Sequence, residues 1–128
     1  MARILIIEDN PANMQLASML LQNVGHTVLC AVDGETGVAI ARNEQPALIL
    51  MDVQLPGMDG LAAAALLKQD PVTAQIPIIA LTAMAMKEDL RKSQIAGCDA
   101  YIAKPLRYQA LYAAIDSLLA AKAQAKAS

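Results

Sequence analysis

Ala47-Leu48-Ile49-Leu50-Met51-Asp52-Val53-Gln54-Leu55-Pro56-Gly57-Met58-Asp59-Gly60 opens with a wholly apolar run, halts on one carboxylate and then breaks into turn residues. A short, continuously apolar run bounded by turn signals reads as a strand covered on both faces, which is the habit of parallel sheets. Gln45-Pro46 separates the run from what precedes it, and Asp59-Gly60 opens a helical stretch after it. Asp52 is therefore expected at the carboxyl end of a buried strand.

Outward from this stretch, short runs rich in Ile, Val and Leu recur at Ile4–Ile7, Thr27–Ala31, Ile76–Leu81 and Ala100–Ala103, with the quoted run contributing Ala47–Met51. Helical spacing fills the gaps. Ala17, Leu20, Leu21 and Val24 fall at i, i+3, i+4 and i+7, as do Leu111, Ala114, Ile115 and Leu118. Asn10-Pro11 reads as an N-cap followed by proline at the first helical position. Gly25 is placed to close that helix in the left-handed conformation. Asp33-Gly34 opens the second helix, and Ile76-Pro77 stands at the start of the fourth strand. Met84–Ile95 reads as a helix with only a thin apolar stripe of Met86, Leu90 and Ile95. Five strands alternating with five helices imply a parallel sheet with right-handed crossovers and helices on both faces. The Ala/Lys/Gln/Ser end from about Ala120 reads as a fraying helix terminus.

With 56% apolar residues in 128, the chain is not disordered and is long enough for one domain with a sizeable core. Three Tyr and no Phe or Trp make that core aliphatic. A net charge of −2 and the absence of a basic cluster give no field for nucleic acid or an anionic membrane. Ile4–Ile7 stops at Glu8-Asp9, far too short for a signal peptide or a membrane span. Cys30 and Cys98 lack metal-ligand spacing. A soluble, reducing, cytoplasmic setting is expected.

The residues that end the strands carry the chemistry. The first strand runs into Glu8-Asp9, the third into Asp52, the fourth into Thr82 and the fifth into Lys104-Pro105. A parallel sheet places all carboxyl ends on one edge, where open α/β sheets bind ligands near a reversal of strand order. With order 2-1-3-4-5, Glu8, Asp9 and Asp52 share one pocket. Crowded carboxylates repel one another unless a cation intervenes. An all-oxygen set with few protein ligands suits Mg²⁺, which keeps several waters and takes one or two carboxylates plus a phosphate oxygen. Lys104 can pair with a phosphoryl oxygen and Thr82 can donate to another. Carboxylate, divalent metal, Lys and Thr together describe phosphoryl transfer to an Asp nucleophile.

Glu8-Asp9, the Met51–Gly60 stretch, Leu81-Thr82-Ala83 and Tyr101-Ile102-Ala103-Lys104-Pro105 resemble the receiver domain of two-component response regulators, the CheY-like superfamily. The resemblance runs from about Arg3 to Ala120. Around Asp9-Asn10 and Ala83-Met84-Ala85-Met86-Lys87 it is most similar to stand-alone regulators of the DivK type. The resemblance implies a (βα)5 flavodoxin-like, doubly wound fold with a five-stranded parallel sheet of order 2-1-3-4-5. It further implies that Asp52 accepts phosphate from a sensor histidine kinase or a histidine phosphotransfer protein. Asp9, Asp52 and the Gln54 carbonyl would ligate Mg²⁺ (or Mn²⁺), with Glu8 acting through a metal-bound water. Lys104 would bridge to the acyl phosphate, aimed by a cis peptide bond to Pro105. Thr82 would move toward the phosphoryl group and Tyr101 would turn into the vacated space. Gln54 and Met84 occupy positions that tune hydrolysis of the phosphoryl group. The fourth helix, fifth strand and fifth helix would form the surface read by a downstream protein.

An Asp-nucleophile phosphatase of the haloacid dehalogenase type is rejected, because the acid it needs two positions after the nucleophile is Gln54 here. A nucleotide-binding flavodoxin-like module would need a glycine-rich loop after the first strand, where Glu8-Asp9-Asn10-Pro11 stands instead. A receiver domain over residues 1–121, a short tail over 122–128 and no effector domain are expected of a complete protein rather than a piece of a hybrid kinase or transcription factor. Output would then run through protein contact, not DNA, from a monomer or a weak phosphorylation-dependent dimer. His26 is expected in a surface turn. Under the expected strand order Cys30 and Cys98 flank opposite edges, roughly 19 Å apart at about 4.8 Å per strand. A disulfide needs Cα atoms within about 7 Å, so both are expected as free thiols. Tyr108 and Tyr112, one helical turn apart, are open to a partner surface or to packing of the last helix.

Overall fold

The computed structural model describes residues 2–53, 60–82, 97–103 and 106–127, with only the backbone of residues 61, 82 and 122–127. The strands are β1 (Arg3–Ile7), β2 (Thr27–Ala31), β3 (Leu48–Asp52), β4 (Ile78–Thr82) and β5 (Ala100–Ala103). The helices are α1 (Pro11–Asn23), α2 (Gly34–Glu44), α3 (Gly60–Gln69) and α4 (Tyr108–Ala127). This α4 is the last of the helices read from the sequence; the helix read over Met84–Ile95 lies outside the described residues.

Every strand pairing is parallel, in the order β2-β1-β3-β4-β5. Alternate side chains leave opposite faces of such a sheet, and the core divides accordingly. Ile4, Ile6, Leu48, Leu50, Ile79 and Leu81 pack against α1 and α4. Leu5, Ile7, Ile49, Met51 and Ile78 pack against α2 and α3. All of β3 is buried, whereas in the edge strand β2 only Ala31 is buried. Each of these fully buried aliphatic side chains contributes on the order of 1.5–3 kcal/mol relative to exposure, which is why the uninterrupted apolar run takes the centre.

The helix ends follow the expected signals. Asn10 Oδ1 accepts from the backbone N–H of Ala12 (2.9 Å) and Asn13 (3.1 Å), and Pro11 opens α1. Gly25 has φ +92°. Asp33 caps α2 by accepting from Thr36 N–H at 2.7 Å. β4 starts later than the sequence reading placed it, because Pro77 has no N–H for the ladder; its carbonyl still accepts from Ile49 N–H at 2.9 Å. α2 ends on Gln45 in the left-handed region (φ 46°), a conformation that no glycine marks in advance. α4 continues helically to Ala127, through the stretch read as a tail. Among the described residues no helix is long and apolar enough to cross a membrane.

His26 corrects its expected surface placement: it is only 9% exposed. Its Nδ1 accepts from Ala2 N–H at 3.3 Å, so the imidazole packs under the first residues of the chain instead of facing water. Tyr112 is a packing residue, since its hydroxyl donates to the Leu20 carbonyl at 2.7 Å and joins α4 to α1. Tyr108, tilted against it with ring centroids 5.9 Å apart, is exposed. Both cysteines are free. Burial, followed by the neighbouring Asp99 charge, pushes the Cys98 thiol up to about 11 against an opposing pull from Lys68.

Lys68 of α3 forms a contact without a local sequence signal. Its Nζ donates to the carbonyls of Ala74 (3.3 Å) and Ile76 (2.9 Å) and to Asp99 Oδ2 (3.0 Å). Asp99 Oδ2 also accepts from Ile78 N–H at 2.8 Å. One ammonium thus gathers the end of α3, the loop into β4 and the residue before β5.

Candidate functional site

The carboxyl ends of β1 and β3 lie side by side, with Ile7 opposite Met51. Glu8 follows Ile7 directly, and Asp52 follows Met51. Both strand ends are held by backbone hydrogen bonds at or just after those residues. Glu8 N–H donates to Ala31 O at 2.9 Å, and Val53 N–H donates to Leu81 O at 3.0 Å. Glu8 is 1% exposed and Asp52 4%, while Asp9 is exposed at the mouth.

One carboxylate oxygen from each of Glu8, Asp9 and Asp52 lies within 4.8 Å of the others. At that spacing two unit charges repel by about 3 kcal/mol at an effective dielectric of ~20. Folding has therefore concentrated negative charge at a place where a hard cation would relieve it. Every protein donor in the cluster is an oxygen, the chemistry that suits Mg²⁺ or Ca²⁺ rather than a soft metal. Exposure of Asp9 leaves the mouth open to water and to further oxygen ligands, as Mg²⁺ prefers. The residues present fit that ion. Asp33, another carboxylate that follows a strand end, is committed elsewhere: hydrogen bonds from the backbone N–H and hydroxyl of Thr36 hold its carboxyl below the usual range.

Asp9 stands between the ladder bond at Glu8 and the cap at Asn10. Replacing Asn10 with alanine removes the acceptor for two helix N–H groups. An N-cap of this kind contributes about 1 kcal/mol. Urea denaturation of Asn10→Ala is expected to show that loss, and an unchanged midpoint would mean that the cap does not restrain the Asp9 loop.

Glu8, Asp9 and Asp52 are thus brought together as the strand ends implied. Thr82 ends β4 with its backbone opposite Ala103, so that residue and the position before Lys104 share the same edge. The Thr82 side chain, Gln54, Met84, Lys104 and Pro105 lie outside the described residues. Tyr101 sits on β5 opposite Ala80, half-buried and set back from the edge.

Gly60 is a positioning residue whose role the sequence does not disclose. It opens a helix and closes the Met51–Gly60 stretch, and in the fold it is buried and its N–H donates to Val53 O at 3.2 Å. A Cβ there would run into the Asp52 carbonyl oxygen and stand 2.6 Å from Val53 Cα. The first residue of α3 thus rests directly on the backbone that presents Asp52. A glycine after a turn is a common helix-start signal, and nothing local distinguishes one that also touches a strand end.

The family model described as the response regulator receiver domain matches residues 4–116. Protein PilH of Pseudomonas aeruginosa is 38% identical over 120 residues, covering 94% of this chain and 99% of PilH. The polar-differentiation response regulator DivK of Brucella anthropi is 40% identical over 116 residues, covering 91% and 94%. Among solved structures, the receiver domain of sensor histidine kinase PA1611 from Pseudomonas aeruginosa has a magnesium ion coordinated in its active-site cleft. It superposes with a TM-score of 0.88 at 33% identity, covering 93% of this chain and 98% of that one. The sheet order, the three converging carboxylates and these similarities agree, and the chain belongs to the response regulator receiver domain family.

Proposed function

We propose that the chain is a phosphorylation-dependent switch in a two-component phosphorelay, with Asp52 as the phosphoacceptor. The phosphoryl group comes from a phosphohistidine on a sensor histidine kinase or a histidine phosphotransfer protein. The observation that carries this reading is the meeting of Glu8, Asp9 and Asp52 at the carboxyl edge between β1 and β3. Glu8, Asp9, Asp52 and the Gln54 backbone carbonyl are assigned to hold Mg²⁺, with Mn²⁺ as a substitute, Glu8 acting through water. When bound, the ion offsets the crowded carboxylate charge and neutralises phosphoryl oxygen as negative charge builds. The magnesium in the cleft of the PA1611 receiver supports that assignment.

Asp52 supplies the nucleophilic oxygen. As its P–O bond forms, the donor's P–N bond breaks and the leaving imidazole retains or acquires its proton. Asp52 ends a strand paired on both sides, so little orientational freedom has to be lost at this step. Lys104 is assigned to a phosphoryl oxygen as a compact positive charge, and Thr82 donates its hydroxyl to another. Drawing both inward biases a pre-existing equilibrium of the adjoining loops. Tyr101 and Pro105 belong to that switch. The altered surface lies on the Met84–Ile95 segment, β5 and α4, and addresses a downstream protein rather than DNA. Asp52 makes the chain a phosphoacceptor that assists its own modification, not a dedicated enzyme. A cytoplasmic protein, monomeric or weakly dimerising when phosphorylated, fits this role.

The test is intact-mass spectrometry after incubation with acetyl phosphate, with and without Mg²⁺, beside Asp52→Asn. One added phosphoryl group that requires both Mg²⁺ and Asp52 is expected. An adduct that persists in the variant moves the acceptor elsewhere. No adduct in the wild type makes the domain a constitutive protein-binding module.

A further inference from the structure

The face of the sheet that carries α1 and α4 has a cavity made from other residues than the carboxylate site. It holds about 280 Å³ and is lined by Val24, His26, Tyr112, Ile115 and Asp116. Val24 and His26 belong to the turn before β2, and the other three to α4. Its wall is set by bonds already described: the Tyr112 hydroxyl is tied to Leu20 O, and Ile115 is buried. Asp116 is exposed and carries a carboxylate at the rim.

His26 determines the chemistry of this cavity. The ring is 9% exposed, and its Nδ1 accepts from Ala2 N–H at 3.3 Å. A neutral imidazole that accepts at one nitrogen carries its proton on the other. His26 therefore lines the cavity as a nearly buried ring whose Nε2–H is a donor. Metal ligation through Nε2 is disfavoured, because it would move the proton to Nδ1 and set it against the Ala2 N–H. Among the described residues, a nearly buried imidazole with a donor nitrogen, an aliphatic and aromatic wall, and a carboxylate at the mouth form the usual plan of a small-molecule site: a largely apolar cleft with few polar groups that orient the ligand.

We propose that this cavity binds a compact neutral carboxamide. Its oxygen accepts from His26 Nε2–H, its apolar body lies against Val24, Ile115 and the Tyr112 ring, and its N–H groups face the Asp116 carboxylate. Such a ligand braces the end of α1 and the start of β2 against α4, and it binds irrespective of whether Asp52 is phosphorylated.

The probe is benzamide, with benzoate as its isosteric control, titrated into the ¹⁵N-labelled full chain. Benzamide is expected to shift amide resonances centred on residues 24–27 and 112–116. Benzoate, which lacks N–H donors and adds a charge facing Asp116, is expected to bind roughly tenfold more weakly. His26→Gln should weaken benzamide. Asp116→Asn, an exposed change that leaves the core intact, should narrow the gap between the two probes. Equal binding of benzamide and benzoate, shifts scattered over the surface, or a preference unchanged by Asp116→Asn would overturn the proposal.

Discussion

Gly60→Ala is expected to be among the most damaging single substitutions available in this chain, although alanine is the better helix former. Exchange of glycine for alanine within a helix ordinarily stabilises it by about 1 kcal/mol. That gain is available in principle, because the left-handed glycines among the described residues are Gly25 and Gly97, not Gly60. The added methyl would nevertheless collide with the Asp52 carbonyl oxygen and lie 2.6 Å from Val53 Cα and 3.0 Å from Asp52 C. These are backbone atoms of a strand end bonded to its neighbour, so none can swing away as a side-chain tip would. Overpacking into a well-filled interior costs about 1–3 kcal/mol, and a clash with backbone belongs at or above the top of that range. A net loss of about 2–3 kcal/mol should lower Tm by roughly 10 °C for a domain of this size. Because relief requires α3 to lift from the chain that presents Asp52, phosphoryl uptake from acetyl phosphate should fall together with stability. A melting curve within about 2 °C of wild type would show that α3 can settle back without strain.

Lys68→Met is expected to destabilise by a similar amount for a different reason. Methionine keeps much of the aliphatic stem, which lies against Gly97, where an added Cβ would be 2.9 Å from Lys68 Cγ. What disappears is the ammonium shared by two loop carbonyls and Asp99. The Lys68 side chain is 19% exposed and that of Asp99 37%, so water screens part of the ion pair and its share must be discounted. The carbonyls matter more, since an acceptor left without its donor in a part-buried setting costs about 1–3 kcal/mol. A total of about 2–3 kcal/mol is expected in urea denaturation. In a double-mutant cycle, Asp99→Asn should restore part of the loss, because an amide does not leave an uncompensated charge. Full additivity of the two substitutions would show that Lys68 acts through the carbonyls alone.

The difference in legibility between these contacts and the rest of the fold has a physical origin. Ala47–Met51 announces a doubly covered strand because burial on both faces demands apolar residues at every position. The meeting of Glu8, Asp9 and Asp52 follows from that reading, since a parallel sheet gathers its carboxyl ends without help from distant contacts. Asn10-Pro11 and Gly25 are equally plain, because caps and left-handed turns are decided within a few residues. Lys68 and Asp99 stand 31 residues apart and form an ordinary pair of charges until the chain is folded. His26 reads as a turn residue because its burial depends on Ala2, 24 positions away. Gln45 takes a left-handed cap, its N–H donating to the Ala41 carbonyl, at a position that carries no glycine to mark it. Gly60 lies between these cases: its residue type is visible, but the strand end pressing on it is not.

β3 is buried along its whole length and bonded to a neighbour on each side. Its amide protons therefore have no local route to solvent and exchange only when the entire domain opens. The slowest amides of this strand, including that of Asp52, are built-in reporters of global stability. Followed in deuterated buffer, they would read the free energy of the unmodified and the modified protein under native conditions, at the residue where the proposed modification occurs.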